Sequence, residues 1–328
     1  GNIDMEAVAK LKTLRQISDF ISAKTPTNEN AKCSTGNPNG GLTFPGTVAR
    51  MTSGKEVVVT RNVTLDEDLY LLDHCFDPPA SQWDTQRDRL HVIPMTVSLE
   101  MMAEVASLLM PGLRVVGARN MHASKWIEVH RSEGAVPLTI SATHTENTNE
   151  VRVWIRRQEA SEMGKPSPAL AEATIVFATE YPIIPSIADW RPTNPRTPWC
   201  NATTLYSERR MFHGPRFQGV VEFSAIGDDG LIAGLEVLPR NNLIASNDSP
   251  KFFIDPVLLD AAGQMVGYWP TEHLDEGFMM FPIQIQEIIV YGEPPRPGCR
   301  AECRVKIREI GQRQVRADFD VIGQDGTL

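Results

Sequence analysis

Two long apolar helical stretches, each lodged in a run of strand-like segments, restrict the fold of this chain more than any other feature. The first spans residues 91–110, with Pro94 near its start and Pro111-Gly112 ending it. The second runs from Pro256 to Trp269, with Asp255 as N-cap and proline at the first helical position. Val257, Leu258, Ala261, Ala262 and Met265 supply its apolar stripe. A sheet that wraps a single helix needs that helix apolar on most sides, and both stretches qualify. Asp260 is the exception in the second helix. A carboxyl group there is costly to bury unless it is neutral or hydrogen-bonded, and Gln264 stands one turn away on the same face.

The strand pattern places Val57–Thr60 and Leu69–Phe76 before the first helix, with a polar loop at 77–89 between. Val115–Val129, Leu138–Thr145, Val151–Arg157 and Ala171–Ala178 follow it. Gly219–Ala225 and Leu231–Leu238 precede the second helix; Ile283–Tyr291, Ala301–Glu309 and Gln314–Ile322 come after. One helix inside a run of strands is an α+β layout, not an alternating one. The pattern repeats without sequence identity between the halves, which predicts a structural duplication. The expected boundaries are 46–180 and 204–328 for the halves, joined by a proline-rich linker at 181–203. Residues 4–23 have helical periodicity through Val8, Leu11, Leu14, Ile17 and Ile21. Their later part resembles the last helix of an acyl carrier protein. Residues 1–45 are therefore expected to be the tail of such a domain plus a spacer, within a longer multienzyme.

With 41% hydrophobic and 22% charged residues, the chain has the composition of a soluble globular protein. Its net charge of −9, with both signs interspersed, argues against nucleic acid and anionic lipid as partners. No apolar run is long enough to cross a bilayer and no signal-peptide core opens the sequence, so the cytoplasm is expected. Cys33, Cys75, Cys200, Cys299 and Cys303 are scattered without zinc-site spacing, so reduced thiols and no metal are expected.

His74 closes an apolar segment ahead of the first helix, and Asp260 lies on the second. A histidine in one half and a carboxylic acid in the other suit a two-group proton-transfer site. Burial lowers a histidine pKa and raises that of an aspartate, favouring a neutral base and a protonated acid.

Gly214-Pro215-Arg216-Phe217-Gln218-Gly219 resembles the Gly-Pro-x-Phe-Gln-Gly signature of dehydratase domains in polyketide synthases and polyunsaturated fatty acid synthases. Asp255 to Gln264 resembles their (His/Asp)-Pro-x-Leu-Leu-Asp-x-x-x-(Gln/His) motif. Asp73-His74, Pro94-Met95-Thr96 and Leu99-Glu100-Met101 resemble the first-half histidine motif and helix start. The resemblance covers roughly residues 45–328 and implies a double hotdog: two sheets, each wrapped round a helix, with the site where the halves meet.

It further implies a hydro-lyase acting on a β-hydroxyacyl thioester carried on an acyl carrier protein. His74 would be the base, Asp260 the acid, and Gln264 would orient the carboxyl group or the hydroxyl. Backbone N–H groups near Pro94 and Met95 would hold the thioester oxygen. No cofactor is implied, since the phosphopantetheine arm arrives with the substrate. The carrier protein, neighbouring domains of the multienzyme and a second copy in a homodimer are the expected partners.

The chain departs from the family at three points. His74 is twenty residues from Pro94, a wider gap than the family's, and counting back the family spacing lands on Thr85. His91 is the nearest rival but sits too close to the helix start. Met95 replaces a glycine, and His213 replaces the tyrosine that commonly precedes Gly-Pro. His213 can donate a hydrogen bond in its place or add a second titrating group. Double-bond isomerisation, product-template cyclisation and a non-catalytic scaffold role are the alternatives.

Overall fold

Alternating apolar and polar residues build a broad antiparallel sheet in the first half, and a helix apolar on nearly every side lies against it. The computed structural model describes residues 42–76, 89–146, 148–158, 167–187, 189–274, 280–311 and 314–324. The expected carrier-like helix at 4–23 and residues 77–88 of the loop after His74 lie outside them.

In chain order the elements are β1 (Thr47–Thr52), β2 (Glu56–Val63), β3 (Cys75–Phe76), β4 (Leu90–Val92) and α1 (Met95–Ser107). Then come β5 (Arg114–Ala123), β6 (Glu128–Val129), β7 (Val136–His144), β8 (Glu150–Arg157) and β9 (Ala171–Ala178). The second half holds α2 (Ala202–Ser207), β10 (Val220–Gly227), β11 (Gly230–Glu236), α3 (Pro256–His273), β12 (Gln284–Ile289), β13 (Arg300–Ile310) and β14 (Val315–Gly323).

β2, β7, β8 and β9 point alternate residues inward, among them Val57, Val59, Leu138, Ile140, Val153, Ile155, Ile175 and Phe177. They close over α1, whose residues from Met95 to Ala106 are all buried. Each large apolar side chain buried this way contributes about 1.5–3 kcal/mol relative to exposure. α3 packs in the same manner on β11, β13 and β14, burying Ala261, Ala262, Met265, Tyr268 and Trp269.

Two glutamates are buried in α1, and both are used as acceptors. Glu100 takes the backbone N–H of Phe253 at 2.7 Å and of Ile254 at 2.8 Å. Glu104 takes those of Thr43 and Phe44, each at 3.1 Å. Burial pushes both carboxyl groups up, Glu104 to about 8, and Glu104 raises Glu100 further by repulsion.

The sheets are not confined to the halves. The largest runs β1-β2-β7-β8-β9-β5-β12, so its last strand comes from the second half; β10-β11-β13-β14 form a second sheet and β3-β4-β6 a small third one. Gly117 on β5 makes this possible, because a Cβ there would stand 2.3 Å from the Ile288 carbonyl oxygen of β12.

Four expectations about elements change. Leu69–Phe76 is not a strand: Leu69–Leu72 form a 3-10 turn, and only Cys75–Phe76 pair. The first helix begins at Met95, because the residue before a proline is driven to extended backbone and Leu90–Val92 join a strand instead. The second helix runs past Trp269 to His273 with Pro270 inside it. Val115–Val129 is likewise broken, into β5 and β6.

Candidate active site

Three segments converge on one buried cluster. His74 follows the 3-10 turn, His213 precedes the Gly214-Pro215 turn, and Asp260 lies in the second turn of α3. One ring nitrogen of each histidine and one oxygen of Asp260 lie within 4.8 Å of one another. His213 Nε2 is 3.2 Å from Asp260 Oδ2, and the His74 and His213 ring centroids are 5.3 Å apart.

The loop is fastened to the histidine segment through the residue beside His74. Asp73 accepts the Gly214 N–H on its carbonyl at 2.7 Å. Its carboxylate accepts the Arg216 N–H at 3.0 Å and Arg216 Nη1 at 2.7 Å. A Cβ at Gly214 would meet Asp73 Oδ1 at 2.3 Å, so only glycine allows the approach. The Gly214–Gly219 motif is thus a clamp between the halves.

His74 is held as a neutral imidazole. Its Nδ1 is 2.7 Å from the Val92 carbonyl oxygen, which can only accept. Nδ1 therefore carries the hydrogen and Nε2 the lone pair. Burial lowers its pKa to about 4, with the Asp260 charge pulling upward and His213 adding to the fall.

Asp260 departs from expectation. Burial does raise its pKa, but the adjoining His213, then His74 and Gln264, outweigh burial and leave it below the usual carboxylate value. The carboxyl group is not kept neutral by its surroundings. The reason is the histidine where the resemblance expects a tyrosine.

Gln264 bridges the site to its support. Its Nε2 donates to Asp260 Oδ2 at 3.0 Å and to the Phe217 carbonyl at 2.8 Å, while Oε1 accepts from the Tyr206 hydroxyl at 2.9 Å. Tyr206 accepts the Val220 N–H in turn at 3.1 Å. Beside the cluster the His213 ring stacks on Phe212 at 4.0 Å, and Phe212 meets Phe76 at 4.2 Å. Phe76, Trp126 and Phe281 continue this aromatic wall, with centroids 5.0–5.4 Å apart. A cleft of about 330 Å³ opens on the loop, lined by His213, Phe212, Tyr206, Arg89 and Arg209; His74 and Asp260 are not among its lining residues.

The double hotdog has counterparts among solved structures. The PpsC dehydratase domain from Mycobacterium tuberculosis superposes with a TM-score of 0.61 at 20% identity, covering 87% of this chain and 93% of that one. An inactive Asp→Asn mutant of the CurK dehydratase gives 0.61 at 17%, covering 87% and 94%. The family model of the polyketide synthase dehydratase N-terminal domain matches residues 201–328.

The chain has the polyketide synthase dehydratase fold.

The dehydratase resemblance extends to a polyunsaturated fatty acid synthase from Thraustochytrium sp. (strain ATCC 26185 / S-3), 25% identical over 207 residues of one of its large polypeptides. That match covers 62% of this chain and only 7% of the relative's length. Of the dehydratase site residues expected from the sequence, His74, His213, Asp260 and Gln264 come together, and Gly214 and Pro215 hold the loop. Pro94 and Met95 start α1 two residues beyond Val92, the acceptor of His74. His91 is buried on β4 with Nδ1 2.9 Å from the Leu71 carbonyl, a packing role. Asp73 and Tyr206 escape sequence reading as supports, since each reaches its partner across a long stretch of chain. The two histidines and Asp260 are brought together by folding, which no sequence spacing reveals. Among the described residues, no helix is long and apolar enough to cross a membrane.

Proposed function

We propose that this domain removes water from a β-hydroxyacyl chain held as a thioester on an acyl carrier protein, giving an enoyl thioester. The observation that carries the reading is His74, a neutral imidazole with its Nε2 lone pair unengaged by Val92, within 4.8 Å of the Asp260 carboxylate from the opposite lobe.

The thioester carbonyl acidifies the α-hydrogen, and His74 Nε2 takes it. The β-hydroxyl leaves on the Asp260 side, where the carboxylate and Gln264 orient it. The first amides of α1, beyond Pro94, have no acceptor within the helix and would hold the thioester oxygen. The wall of Phe76, Phe212, Trp126 and Phe281 offers an apolar face to the acyl chain. The chemistry is proton transfer alone, and the phosphopantetheine arm comes with the carrier. The inactive Asp→Asn CurK protein supports a carboxylate being needed in dehydratases of this fold. The boundaries at 46–180, 181–203 and 204–328, neighbouring synthase domains, a homodimer and a cytoplasmic setting belong to the same reading.

The test is dehydration of a 3-hydroxyacyl pantetheine thioester, followed by enoyl absorbance. His74→Ala and Asp260→Asn should each abolish it while the circular dichroism spectrum is kept. Near wild-type turnover in either would overturn the assignment.

A further inference from the structure

We propose that His213 delivers the proton to the departing hydroxyl, the His213–Asp260 pair holding one transferable proton opposite His74. This rests on the dehydration reading above and names the proton donor within it.

Three observations place the proton there. His213 Nε2 faces Asp260 Oδ2 at 3.2 Å, and both side chains are largely buried. A carboxylate in such contact supports an imidazolium and fixes the ring, as a buried aspartate does for a catalytic histidine elsewhere. The other ring nitrogen, Nδ1, is buried and has no partner among the described residues. A buried polar atom without a partner is costly, so a group that arrives with the substrate is its natural complement. Finally, His213 lines the cleft beside the loop. Asp260, held below the ordinary carboxylate pKa by its neighbours, retains little proton of its own to give.

The step balances. The Cα–H bond breaks, its proton goes to His74 Nε2, and its electron pair forms the Cα=Cβ bond. The Cβ–O bond breaks as the oxygen takes the Nδ1 proton of His213 and departs as water. His213 is left neutral, with its Nε2 hydrogen toward Asp260. The proton on His74 returns to the pair across the cluster, restoring the starting state.

The titratable and charged groups around His213 come from each packed element. His74 and Asp73 face it from the 3-10 segment, Asp260 from α3 and Tyr206 from α2. Asp73 is committed to Arg216, and burial pushes Tyr206 far up, so it stays protonated. Arg89 and Arg209 share the cleft and disfavour a second positive charge. The groups left to pass a proton at the cluster are thus His74, His213 and Asp260.

The experiment compares wild type with His213→Phe, His213→Gln and His213→Tyr in the whole chain, reading kcat/KM for the 3-hydroxyacyl thioester against pH. Phe and Gln cannot supply a titrating proton and should lose about 100-fold or more. Gln keeps an N–H donor beside Asp260 and serves as the folded control should Phe fail to fold. Tyr restores a proton donor of higher pKa, so activity should return with the basic limb moved up by about a pH unit or more. A purely structural role would lower the profile without moving that limb, and this would overturn the proposal. Turnover of Gln or Phe within about threefold of wild type would overturn it too. A wild-type chain with no dehydration under any condition would overturn the underlying reading, and the role of His213 with it.

Discussion

Glu100 on α1 accepts the backbone N–H of Ile254, the residue immediately before the N-cap of the helix that carries Asp260. One buried carboxyl group thereby fixes where the Asp260 helix begins. Glu100→Ala leaves two buried amides without an acceptor, at a cost of about 1–3 kcal/mol each. A fall in denaturation midpoint together with lower turnover is expected; lower turnover at unchanged stability would contradict this role.

Glu104 makes stability depend on pH. Its folded pKa, about 8, lies above the ordinary 4.5, so the native state binds the extra proton. The associated stability is present below pH 4.5 and is lost as pH rises through about 8. Glu104→Gln keeps an acceptor for Thr43 and Phe44 and cannot ionise. It should match wild type near pH 5 and exceed it near pH 8 in urea unfolding.

The proposed base, His74, sets the acid limb of activity. With the His74 pKa at about 4, kcat/KM should hold its plateau well below the usual histidine range. Asp260 raises that pKa by its charge, so any residual activity of Asp260→Asn should have its acid limb displaced downward. A limb near 6.5 in the wild type would show that His74 is not the base.

Tyr206 and Gln264 act by positioning. Tyr206→Phe removes the donor to Gln264 Oε1 and the acceptor of Val220, which frees the amide that aligns Asp260. A drop in kcat of about tenfold with KM little changed is expected, since one such hydrogen bond is worth about 1.4 kcal/mol. Gln264→Glu would set a carboxylate against Asp260 and should be worse than Gln264→Ala.

Much of this is legible in the residues. Strand alternation and two all-apolar helices describe two sheet-wrapped units, and Asp255-Pro256 marks the start of α3 to the residue. Asp260 and Gln264, four apart, do meet. Legibility fails where a contact joins distant segments. The N–H groups held by Glu100 and Glu104, the Asp73–Arg216 clamp and the Tyr206–Gln264 bond have no local pattern to betray them. The Asp260 pKa direction eludes the sequence for the same reason. Burial is inferable from helix periodicity, whereas the imidazole that overrides it belongs to a loop folded in from elsewhere. Leu69–Phe76 fails differently: an apolar run of that length fits strand and packed turn equally, and only the return of β4 decides between them.

β12 crosses from the second lobe to finish the sheet of the first, beside Gly117. The lobes are therefore not interchangeable cassettes, however alike their layouts. A gene fragment stopping in the proline-rich connector would leave β5 with a raw border, inviting self-association. Shuffling lobes between related proteins must carry β12 along with the sheet it completes.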